Sequence, residues 1–126
     1  MSRFLWICVG GAVGTGARYL LGGWIADRTG SGFPWGTFAV NALGSFLLGA
    51  ILQVALTTDL ISPTLRLALT TGVMGGFTTY STFNYETLQL MRDDAWLLAA
   101  ANLGATVIGC LLAGALGLLC GRLVTG

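Results

Sequence analysis

The chain has 126 residues, of which 55% are hydrophobic and 9% charged, with a net charge of +1 and no histidine. A mean hydropathy of +0.81 exceeds what a soluble domain of this length tolerates, so the composition is that of an integral membrane protein. No nucleic-acid partner is expected, and an enzyme is not: there is no GxxxxGK, no GxGxxG and no paired carboxylates within an apolar stretch.

A hydrocarbon core about 30 Å thick takes roughly 20 helical residues per crossing. The polar clusters Asp27-Arg28-Thr29-Gly30-Ser31-Gly32, Thr57-Thr58-Asp59 and Arg92-Asp93-Asp94 divide the chain into stretches of that order. An all-α membrane protein follows, a single four-helix transmembrane domain over 1–126. Its spans are about 4–25, 35–56, 63–91 and 95–121, with no residues left for a soluble domain. The first span follows Arg3 as a signal peptide would. It is too long for one, lacks a small-x-small cleavage site and precedes three similar spans, so it is retained as a helix. Arg18 lies one to two turns inside its end. Its guanidinium either snorkels to the surface or makes a positive vestibule that concentrates anions.

In the second span Thr37, Asn41, Gly44 and Ser45 share one helical face, and in the fourth Asn102, Thr106 and Gly109 or Cys110 do the same. Such amides are commonly glue between helices; stripes on several helices also suit a conduit. The third span holds the densest signal. Its run Thr70-Thr71-Gly72-Val73-Met74-Gly75-Gly76-Phe77-Thr78-Thr79-Tyr80-Ser81-Thr82-Phe83-Asn84-Tyr85-Glu86 sets glycines, hydroxyls, rings and a carboxylate at membrane depth. A glycine-weakened, polar helix survives there only beside protein or water, so the run reads as the lining of a pathway. The Asn41 amide, the hydroxyls of Ser81, Thr82 and Thr106, and the positive ring edges of Tyr80 and Phe83 all suit a small anion. Tyr80 and Phe83, three apart, lie along one side of the helix, as packing rings also do. Glu86 would repel an anion, which places it beside the route or at its mouth. Cys8, Cys110 and Cys120 are odd in number, without CxxC or histidine, and read as free thiols.

An even number of spans puts both termini on one side. Arg3, Arg66 and Arg122 flank that side; Arg28 and Arg92, with Arg18 deeper, flank the other. Three against two or three is no clear excess, so the positive-inside rule does not choose an orientation. Either another feature fixes the orientation or the chain inserts both ways, which would allow an antiparallel dimer. Gly10 and Gly14, Ser45 and Gly49, Gly72 and Gly76, and Gly117 and Gly121 are small pairs suited to close helix contact, within the chain or between subunits.

Gly10-Gly11-Ala12-Val13-Gly14-Thr15-Gly16-Ala17-Arg18-Tyr19, then Trp35-Gly36-Thr37-Phe38-Ala39-Val40-Asn41-Ala42-Leu43-Gly44-Ser45-Phe46, then Gly72 through Glu86 resemble the Fluc (CrcB) fluoride channels in order and spacing, over nearly the whole chain. The resemblance implies an antiparallel, dual-topology homodimer in the cell membrane, of the bacterial inner-membrane type, with two fluoride pores that export cytoplasmic fluoride passively and so lower its toxicity. It makes Asn41 the pore amide, Tyr80 and Phe83 ring-edge ligands, Ser81 and Thr82 neighbouring hydroxyls, and Asn102, Thr106 and Cys110 the polar track of the fourth helix. It also implies a third helix broken mid-span, where Gly75 and Thr78 offer backbone carbonyls to a structural Na⁺. Two positions depart from the family pattern: Tyr80 stands where phenylalanine is usual, and Cys110 where a hydroxyl is common. Two rivals remain, a proton-coupled exporter of the small multidrug-resistance kind, which would need a carboxylate deep in the first span, and a non-conducting assembly subunit whose stripes bind partner helices.

Overall fold

In the computed structural model, which describes residues 1–30 and 32–126, every regular element among the described residues is helical. Helix α1 runs Ser2–Thr29, past the expected end of the first span. Asp27, Arg28 and Thr29 therefore form its last turn instead of a loop; Ser31 of that expected loop lies outside the described residues. Arg28 explains the extension, because a cation suits a helix C-terminus and its guanidinium carbon sits 4.4 Å from the centroid of the Trp24 ring. Gly30, at φ 78°, then ends the helix. Helix α2 spans Trp35–Thr57 and closes where Thr58 turns extended.

The third segment is built from pieces. Ser62 caps α3 (Pro63–Leu67) by accepting the Leu65 N–H at 3.2 Å, with Pro63 in the first turn where its missing N–H costs nothing. A π-helical stretch, Ala68–Met74, leads into the short α4 (Gly75–Phe77). Thr78 (φ −85°, ψ 156°) and Thr79 (φ −149°, ψ 113°) are extended, and α5 (Tyr80–Arg92) restarts the helix. The interruption thus falls on two threonines, whereas Gly72, Gly75 and Gly76 remain helical. A tight turn through Asp93 and Asp94, the latter left-handed at φ 56°, delivers the chain to α6 (Trp96–Thr125).

The glycines are placed by packing. A Cβ at Gly10 would lie 2.5 Å from the Ala68 carbonyl oxygen, and one at Gly72 2.8 Å from that of Ile7, so α1 and the third segment touch backbone to backbone. Gly14 and Gly76 extend the same seam, while Gly49, Gly117 and Gly121 do this between α2 and α6. Close approach of this kind replaces the hydrophobic drive that lipid removes. These small pairs therefore join helices of one chain. The large apolar side chains, such as Leu20, Leu97, Leu111 and Leu123, are left on the outside, as a hydrocarbon solvent permits.

Candidate functional site

The polar site grows from the interruption at Thr78 and Thr79. Leaving the helix frees backbone groups that hydrocarbon will not solvate, and Asn41 on α2 takes two of them. Its Oδ1 accepts the Thr79 N–H at 2.7 Å, and its Nδ2 donates to the Thr79 carbonyl at 3.0 Å. Ser45 fixes the same turn of α2 by donating to the Asn41 carbonyl at 2.7 Å. Thr79 also starts α5, its Oγ1 accepting the Thr82 N–H at 3.2 Å and donating to the Thr82 hydroxyl at 3.0 Å. From α1, Arg18 Nε donates to the Gly76 carbonyl at 3.0 Å, placing a cation at the C-terminal end of α4.

These diversions leave other carbonyls without a helical donor. The Thr79 N–H, which would bond Gly75, goes to Asn41; the Thr82 N–H, which would bond Thr78, goes to the Thr79 hydroxyl. The Gly75 and Thr78 carbonyls are hard oxygen acceptors at an unwound stretch, which is the chemistry Na⁺ takes. In oxygen type these two carbonyls suit such an ion.

Two open cavities flank the Asn41–Thr79 pair, and Thr79 lines both. The first, about 300 Å³, includes Arg18, Thr37, Thr82 and Glu86 in its wall. Glu86 accepts a hydrogen bond from the Thr37 hydroxyl across α2 and α5, so the carboxylate expected beside the route is held by a neutral partner in the same wall as Arg18. The second cavity, about 310 Å³, brings together Asn41, Ser45, Tyr80, Phe83, Thr106 and Cys110 from α2, α5 and α6. The Tyr80 and Phe83 rings meet edge to face, centroids 5.7 Å apart at 64°. Phe83 is only 5% exposed and Tyr80 is 78% exposed, so one ring is packed and the other stands on the open side.

The remaining expected residues lie elsewhere. Asn102 is 1% exposed and sits behind the second cavity, donating to Thr87 at 2.8 Å. Ser81 faces outward, its Oγ 3.5 Å from that of Thr79. Gly75 is exposed on the opposite side of the interruption from α5. Sequence reasoning missed Thr79 and Thr87. Thr79 was within reach: threonine is a favoured N-cap residue, and it stands shortly after a pair of glycines and before a run that can be helical. Thr87 carries no comparable signal, being one hydroxyl among many.

Among the described residues three helices are long and apolar enough to cross a membrane, and with the pieced third segment they frame open cavities whose largely apolar walls carry a few polar groups. That architecture defines a small multi-pass helical membrane protein. Residues 5–118 match the family described as CrcB-like protein, Camphor Resistance (CrcB), and the chain belongs to it. It is 57% identical over 122 residues, covering 97% of this chain and 96% of the other, to the fluoride-specific ion channel FluC of Sorangium cellulosum (strain So ce56). Proteins of the same name from Anaeromyxobacter sp. (strain K) and Geobacter sulfurreducens (strain ATCC 51573 / DSM 12127 / PCA) are 54% identical over 113 residues and 49% over 122. They cover 90% and 97% of this chain, and 90% and 98% of their own lengths.

Proposed function

We infer that this chain is a fluoride-specific ion channel that passes the ion passively and so exports cytoplasmic fluoride. Near-full-length identity to proteins of that name supports the reading, and one geometric observation carries it to particular residues: Asn41, Tyr80, Phe83, Thr106 and Cys110 wall a single open cavity. Fluoride is small and strongly hydrated. A pore selective for it must replace water with close hydrogen donors, in serial sites weak enough to release the ion. Asn41 spends one amide hydrogen on Thr79, and its second is left over for the cavity. The Phe83 rim adds a positive edge that is costless to dehydrate. In this scheme the ion gathers in the Arg18 cavity, passes the Asn41–Thr79 pair beside Thr82, with Ser81 next to it, and continues along Tyr80, Phe83, Thr106 and Cys110.

Two copies inserted in opposite orientations complete the assembly in this reading, with Gly75 and Thr78 holding a structural Na⁺ through their carbonyls. The exporter alternative lacks its carboxylate, since the first span has none and Glu86 is engaged with Thr37. The test is efflux from liposomes containing only the purified chain, loaded with fluoride or chloride. Rapid fluoride loss with chloride retained is the expected result. Retention of both anions would overturn the channel reading and favour an assembly subunit.

A further inference from the structure

Behind the second cavity a chain of buried polar groups runs from backbone to cavity wall. The Thr87 hydroxyl donates to the Phe83 carbonyl at 2.8 Å, Asn102 Nδ2 donates to Thr87 Oγ1 at 2.8 Å, and the Thr106 hydroxyl donates to Asn102 Oδ1 at 3.4 Å. All four residues are at least nine-tenths buried, and only Phe83 and Thr106 reach the cavity.

The proton directions follow from the first link. A carbonyl only accepts, so Thr87 must spend its one proton on Phe83; its oxygen can then only accept, which obliges Asn102 to present its NH2. The amide oxygen is thereby turned to Thr106, and Thr106 must donate to it. The hydroxyl that this chain of bonds brings to the cavity wall therefore has its proton drawn away from the cavity and its lone pairs left toward it. The last link is also the longest, well beyond an ordinary O–H···O separation, so it is the one an anion can break.

We propose that Thr87 and Asn102 are positioning residues that tie the Thr106 proton away from the pathway, so that fluoride must compete with Asn102 for it and is held weakly enough to leave. The proposal rests on the channel reading. It turns Asn102 from an expected ion contact into a group that acts through Thr106.

The experiment is the fluoride concentration giving half-maximal flux through purified protein in liposomes. Thr87→Val keeps the shape but removes the acceptor for Asn102; the amide then turns its NH2 to Thr106, whose proton is released to the cavity. Half-saturating fluoride is expected to fall about two- to tenfold, the effect of one net hydrogen bond. Asn102→Ala, which deletes the competing oxygen, should lower it in the same way if Thr87→Val does not fold. Thr87→Ser, which restores both bonds, should return the wild-type value. In a Thr106→Val background the shift should vanish, because the two substitutions act through one proton. An unchanged half-saturation in Thr87→Val and Asn102→Ala, or a shift that survives Thr106→Val, would overturn the proposal; a merely structural role would lower the maximal flux alone. A wild-type protein that passes no fluoride at all would remove the channel reading and this proposal together.

Discussion

At the scale of single residues, Asn41 and Phe83 separate structural work from contact with the ion. Asn41 serves the Thr79 backbone as donor and acceptor at once, so an aspartate there keeps the accepting half and loses the donating half. The Thr79 carbonyl loses one partner, at a cost of about 1–3 kcal/mol, and the new charge repels the anion. Asn41→Asp should therefore lower the thermal midpoint in detergent and cut fluoride flux by more than about tenfold in protein that remains folded. Wild-type flux would leave Asn41 a structural amide only. Phe83→Ile keeps the apolar volume close while removing the ring edge, so flux should fall about tenfold or more with the thermal midpoint lowered only slightly. If conduction persisted, Phe83 would have no place on the route.

At the scale of elements, the interruption of the third segment decides where the site lies. Thr79 holds it through its backbone bonds to Asn41 and through a hydroxyl that caps α5. Thr79→Val keeps the first and deletes the second, and should cost about 0.5–2 kcal/mol by thermal unfolding in detergent. The turn between α5 and α6 offers the opposite change. Asp94 sits at φ 56°, a conformation that glycine adopts without a Cβ penalty, so Asp94→Gly should be neutral to stabilising by up to about 1 kcal/mol. Much of this level was legible in the sequence. Asn41, Tyr80, Phe83 and Thr106 could be picked out because amides, hydroxyls and clustered rings stand out against an apolar background, whereas Cys110 shares its place with Gly109 on the helix face and is singled out only through the family resemblance. The position of the interruption was not legible from glycine, since Gly72 and Gly76 remain helical and are spent on contact with α1. Nor was the π-helical stretch Ala68–Met74, which packs on α1 through Gly72 and leaves no mark on residue type. For Asn102 the sequence leaves helix glue and pathway contact both open, and its bond to Thr87 across α5 and α6 is the glue. Periodicity puts it on one face with Thr106, but which neighbour fills the space in front of it is decided by α5, through Thr87.

At the scale of the whole molecule, the second cavity is open, Tyr80 is 78% exposed, and Ser81 and Asn84 face outward from the middle of the chain's most polar segment. Polar groups and an open passage are poorly solvated by lipid, so the proposed second copy would cover this side. An antiparallel arrangement requires that both orientations be made. The arginines permit it: Arg3, Arg66 and Arg122 lie toward one end of the bundle by chain order, Arg28 and Arg92 toward the other, and insertion follows an excess of Lys and Arg in short connections. Thr58→Lys with Asp59→Lys breaks that balance at the first end. Asp93→Lys with Asp94→Lys breaks it at the second. Each double variant alone should insert in a single orientation and lose most of its fluoride flux, while co-expression of the two should restore it. Reporter tags at the C-terminus give the orientation, and liposome efflux the function. Full flux from either variant inserted one way would mean that the conducting unit needs no inverted partner. The outward polar face of α5 would then have to be covered by a parallel copy or by something other than this chain.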